Sequence, residues 1–248
     1  MRTINYIFLL MAIAVTGVFF SCSEENYSGV QEGSKFPYIE LPESVDFKNL
    51  APEELNTLIK ASSRIIFIEN EEGYLELLSK NGKEINISEN IYQYFNRIVD
   101  NTNRYVISLR NIGARKRLLT RDGIDGYTNM HDCVAWAIVR ATGTSYTEVS
   151  QYLTNTYGTG GVNRSDWSDA LNHFGNAAHI NDFNNTIPRG ERLGESYVIF
   201  IKNQDGSAHA VNGFFRDANG VFICHDYQNG GDEIFARANG IWDIYKYY

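Results

Sequence analysis

The chain has 248 residues, 43% hydrophobic and 21% charged, a globular composition sufficient for one large domain, alone or with a smaller companion. A formal net charge of −8 argues against a nucleic-acid-binding protein, which needs a basic face. There is no periodic repeat and no glycine-rich phosphate loop, and tyrosine, at 16 copies, leads an aromatic content of 13% that suits an extracellular peptide or glycan groove without requiring one.

Residues 1–21 have the pattern of a targeting segment. Arg2 supplies a sparse basic region, and residues 7–20 form an apolar run of signal-peptide length, too short for a comfortable membrane span. The run ends at Ser21-Cys22, followed by Glu24 and Glu25. A cysteine behind a small residue at this place resembles the lipobox of bacterial lipoproteins, although Phe19 and Phe20 depart from its usual leucine and small residue. The resemblance implies lipidation at Cys22, attachment to the outer membrane through that lipid and, from the acidic residues that follow, display at the cell surface. An ordinary secretory signal with an incidental cysteine is the alternative. Residues 22–48 are polar, with Gly29, Gly33, Pro37 and Pro42, and are expected to be a tether.

Structure is expected to begin near residue 49, with a small α/β unit over 49–109. Pro52 opens a helix with Glu53 and Glu54 near its positive end and Leu55, Leu58 and Ile59 on its apolar face. Strands are expected at 64–69 and 74–78. Asn81-Gly82 signals a hairpin into a further strand at 84–87. Ser88 can cap a helix whose face carries Ile91, Phe95, Ile98 and Val99, and another strand is expected at 104–109. This unit contains neither cysteine nor histidine. From 110 to 124 the charge turns positive, through Arg110, Arg115, Lys116, Arg117 and Arg121, and the segment is expected to be a linker. It is either a solvated loop or a cleavable joint between a propeptide-like unit and the domain at 125–248.

That last domain is organised around residues 127–143. Ala135, Ile138, Val139 and Thr142 fall at helical spacing, and Gly143 can stop the helix by taking a left-handed conformation. Cys133 then lies in the first turn, where unpaired N–H groups and the helix dipole favour a thiolate, the nucleophilic form. A buried structural cysteine is the competing reading. Ser145 and Glu148 stand at capping-box spacing before a helix ending at Gly158, and a third helix carries Trp167, Ala170, Leu171 and Phe174. Strands are expected at 197–202, 208–215, 221–227, 234–238 and 241–247. Helices first and strands after imply an α+β fold with an antiparallel sheet.

His209 enters the second of these strands between small residues, and Asp226 ends the third, one hairpin later. Strand parity places Phe222, Cys224 and Asp226 on one face and His225 on the other. A carboxylate there can hold an imidazole on the preceding strand in one tautomer, while a plain turn initiator is the alternative role. Cys133 and Cys224 form either a disulfide or one reactive thiol beside one buried bystander.

Three segments together resemble the papain-like cysteine peptidase superfamily: the entry Asn129-Met130-His131-Asp132-Cys133-Val134-Ala135, the run His209-Ala210-Val211, and the turn His225-Asp226-Tyr227-Gln228-Asn229-Gly230. Their spacing looks most like the leader-peptidase domains of bacteriocin-exporting transporters. The resemblance covers about residues 125–230 and implies Cys133 as nucleophile, His209 as general base and acid, and Asp226 as the orienting group. That family places a glutamine six residues before the cysteine, to stabilise the oxyanion. Here the position is Tyr127, which leaves Asn129 and Thr128 as oxyanion candidates beside the Cys133 N–H. The expected function is a surface-anchored thiol hydrolase acting on a peptide or protein, with no cofactor, metal or nucleic-acid partner. A cell-wall amidase or transamidase is the alternative on the same fold. A non-catalytic lipoprotein binding peptide or glycan is the alternative from another class.

Overall fold

The structure, a computed structural model, describes residues 36–122, 132–158, 161–203 and 206–248, and the side chains of these except 109–122. Cys22, Tyr127, Thr128 and Asn129 therefore lie outside the described residues.

The first helix, α1 (Pro52–Ser62), starts as its sequence dictates. Proline takes the first helical position, where no N–H is missed, and the Glu54 carboxylate accepts from the Ala51 N–H at 2.8 Å. A short hairpin follows, β1 (Phe67–Glu69) with β2 (Leu75–Leu77). The strand expected at 84–87 is replaced by a 3-10 turn over Gly82–Ile85. The Asn81 side chain accepts from the Glu84 N–H at 3.2 Å, so Asn81-Gly82 starts this turn instead of closing a hairpin. A Cβ at position 82 would meet the Ile87 carbonyl oxygen at 2.6 Å, which explains the glycine.

The long helix α2 (Glu89–Asp122) buries Ile91, Phe95, Ile98 and Val99 as the spacing required. It does not stop there. Residues 104–109, expected as a strand, and 110–122, expected as a linker, continue the helix. Tyr105, Val106 and Ile107 favour strands in isolation, but here they extend a helix already packed along the edge of a sheet, and tertiary contact overrides propensity.

α3 (Asp132–Thr142) ends at Gly143 with φ 76°, and α4 (Tyr146–Tyr157) is capped by Ser145, whose hydroxyl accepts from the Glu148 N–H at 3.3 Å. α5 (Trp167–Asn172), β3 (Ala177–His179) and α6 (Phe183–Thr186) follow; sequence spacing gave no sign of the last two. Five strands then run antiparallel: β4 (Tyr197–Lys202), β5 (Ala208–Arg216), β6 (Phe222–Asp226), β7 (Asp232–Ala236) and β8 (Ile241–Tyr247). With β3 they make a six-stranded sheet in the order β3-β8-β4-β5-β6-β7, so the fold is α+β.

Strand alternation divides the core. Ile199, Val211, Phe222, Cys224, Ile234 and Ile244 share one cluster on one face. On the other face, Val198, Phe200, Ala210 and Tyr245 pack against α3, α4 and α5, while Phe215, Ile223 and Phe235 pack against α1 and α2. Segments on either side of residue 110 thus share one hydrophobic core, and the described residues belong to one compact unit. That unit begins before residue 49. Ile39 and Leu41, expected in the tether, are buried, and Ile39 bridges Ile87. Among the described residues no helix is long and apolar enough to cross a membrane.

Candidate active site

Cys133 occupies the first turn of α3, only 8% exposed, facing the sheet with Ala137. Two contacts fix the helix there. The buried Asn212 amide of β5 donates to the Ala137 carbonyl at 3.0 Å and to the Glu195 carbonyl at 2.7 Å. At the helix start, Asp132 accepts from the Tyr146 hydroxyl at 2.8 Å, and the Tyr146 ring stacks on Trp136. The Asp132 carboxylate is thereby engaged on the α4 side.

His209 enters β5 opposite Ile201 of β4. The pairing of Asn212 with His225 carries Asp226 to the diagonal neighbour position of His209 across the β5–β6 ladder. Nε2 of His209 lies 2.9 Å from Oδ2 of Asp226, although its N–H is not aimed squarely at that oxygen. Proximity and opposite charge, more than alignment, carry this contact. Asp226 Oδ2 also accepts from the Asn229 amide at 2.6 Å. The Cys133 side chain lies close enough to the same imidazole to help raise its pKa. With Nε2 facing Asp226, Nδ1 is the ring nitrogen that remains for another partner. The three residues that the sequence singled out therefore meet.

Their charge states follow from the packing. Burial alone would push the His209 imidazole down, but Asp226 and Cys133 outweigh it and hold its pKa up at about 10. Burial opposes ionisation of Asp226 as well, yet His209 and the Asn229 amide keep its carboxyl below the usual range. An imidazolium beside a carboxylate is thus the stable arrangement through neutral pH.

Comparison of the chain with protein-family models, characterised proteins and solved structures gives no match. The site stands on its own geometry.

Cys133 and Cys224 are both free, so the disulfide alternative is not the state in this structure. Among the described residues no group of three histidine, cysteine or acidic side chains converges to hold a metal. A cavity of about 270 Å3 borders Asp226 and is lined from α2 by Asn101, Arg104, Tyr105 and Ser108. A larger groove, about 670 Å3, runs between the β1–β2 hairpin and α2, lined by Tyr74, Glu76, Tyr92 and Asp100 among others. Neither space is lined by Cys133 or His209, and the smaller one reaches the cluster through Tyr105, Asp226 and Asn229.

Three residues near the site escaped the sequence reading. Asn229 lies in the quoted turn but had no role assigned, and Asn212 follows His209 by three residues on the same strand. Tyr105 was hidden by the expected strand at 104–109. Its ring stacks on His209, with centroids 4.8 Å apart.

Proposed function

We propose that this protein is a papain-like thiol hydrolase, a cysteine peptidase anchored at the bacterial outer membrane through Cys22. The meeting of Cys133, His209 and Asp226 in one buried cluster carries the reading. In the proposed reaction the Cys133 sulfur attacks a peptide carbonyl while His209 holds the sulfur's proton. His209 then protonates the departing amine, leaving an acyl enzyme. Water, deprotonated by His209, attacks that thioester and breaks its C–S bond, which releases the carboxylic acid while His209 returns the proton to the sulfur. Asp226 keeps the ring oriented and its positive charge stable, with Asn229 holding Asp226 in turn. The N–H of Cys133 and one of Asn129 or Thr128 are the proposed donors to the oxyanion. The reaction as drawn uses no cofactor.

The test is hydrolysis of a peptide library by the purified chain lacking residues 1–21, beside Cys133→Ala and His209→Ala. The reading expects cleavage by the parent and background release by both variants. Equal cleavage by Cys133→Ala contradicts it. Labelling of the thiol without any peptide cleavage redirects the substrate toward cell-wall amides or acyl transfer.

A further inference from the structure

The ring that covers the imidazole comes from an unexpected element. Tyr105 projects from α2, more than a hundred residues before His209, and its ring lies nearly parallel to the imidazole, at 26°. Its hydroxyl donates to Asn203 Oδ1 at 2.7 Å. Asn203 is buried, and its amide donates to Ser207 Oγ at 2.9 Å while its backbone N–H donates to the Ser207 carbonyl at 2.8 Å. Ser207 stands two residues before His209. The tyrosine is thus held at both ends, by its helix and by the start of the strand that bears the histidine.

We infer that Tyr105 is a positioning residue for His209, and that α2 is a permanent wall of the site and not a removable propeptide segment. This rests on the Cys133–His209–Asp226 reading. A cation over an aromatic face within about 6 Å of its centroid is attracted by the ring's negative quadrupole. The tyrosine face therefore favours the charged imidazole, and its fixed plane limits ring rotation. Rotation matters because Nε2 must stay on Asp226 while the other nitrogen serves the sulfur. The groups facing His209 are Cys133 from α3, Asp226 from β6 and Tyr105 from α2; Arg104 and Asp232, paired at 3.4 Å, sit beyond Asp226 around the cavity. An Asp226 carboxylate alone can stabilise charge, but it cannot fix the plane of the ring.

The experiment reads the pH profile of Cys133 carboxymethylation by iodoacetate, an anionic reagent whose rate falls when the neighbouring imidazolium loses its proton. Three variants are compared with the parent: Tyr105→Phe, Tyr105→Leu, and Tyr105→pentafluorophenylalanine, which keeps the ring's shape but removes its negative face. Tyr105→Phe should keep the alkaline limb in place. The other two should move it to lower pH by about one unit, on the order of tenfold in the ionisation constant. The fluorinated variant preserves packing, so its result stands even where Tyr105→Leu fails to fold. An alkaline limb unmoved by fluorination overturns the inference. Absence of any carboxymethylation in the native parent instead overturns the underlying functional reading, which separates the two failures.

Discussion

Cys133 and Cys224 are both buried thiols, and only their surroundings tell them apart. Cys224 sits within an apolar face of the sheet, where burial pushes its thiol well up and leaves it inert. Cys133 lies at a helix start against a charged imidazole. The ionisable pair behind it makes a prediction about stability. The His209 pKa is raised in the folded state, so its contribution is complete below about 6.5 and is lost as pH climbs toward about 10. The Asp226 carboxyl is depressed, so its contribution is present above about 3.9 and is lost as pH falls through its folded value. Denaturant midpoints across pH should therefore show a plateau between these limits. Asp226→Asn should flatten both flanks, and an unchanged profile in that variant would mean the pair is not coupled to folding. The same variant should lower peptide hydrolysis by roughly two to four orders of magnitude, since it leaves the ring without its charged partner.

At the scale of elements, α2 does the work that the sequence had divided among a helix, a strand and a linker. Its side chains close the exposed edge of β7: Thr102 Oγ1 accepts from the Phe235 N–H at 3.0 Å, and the Asn101 amide donates to the Glu233 carbonyl at 3.0 Å. Thr102→Val keeps the shape and orphans a buried donor, which should cost about 1–3 kcal/mol in chemical denaturation. Wild-type stability in that variant would show the edge is satisfied otherwise. Removing the helix is a harsher test. Since Phe95 and Ile98 share a core with Ile223 and Phe235, a fragment of residues 120–248 should fail to fold cooperatively. A folded, thiol-reactive fragment would restore the idea of a cleavable propeptide joined at Arg115, Lys116 and Arg117. The limits of sequence reading are visible in this helix. Tyr105, Val106 and Ile107 carry strand propensity, and nothing local reveals that a sheet edge formed by the distant strand β7 will hold them helical. The catalytic candidates were legible for the opposite reason. A helix start, a strand start and a strand end each have local signatures, and one hairpin brings two of them together. The buried Asn212 linking α3 to β5 was not legible, because its partners are backbone carbonyls chosen by tertiary packing.

For the whole molecule, the described part is one compact unit whose sheet serves two sets of helices on one face. The candidate site lies where α2, α3 and the starts and ends of β5 and β6 come together. Packing from both sides of residue 110 is therefore required to assemble it. On the proposed lipid anchoring, Cys22→Ser should release the protein from the membrane fraction or block its maturation. Retention and normal processing of that variant would contradict lipid anchoring at Cys22. The central claim, that Cys133 is an activated nucleophile and not a buried bystander, is tested most directly by a thiol-reactive epoxide applied to the native protein at mildly acidic pH, with the labelled peptide mapped by mass. The account predicts one label per chain, at Cys133, lost in His209→Ala and never at Cys224. Labelling that appears only after unfolding, or equally at both cysteines, would contradict it.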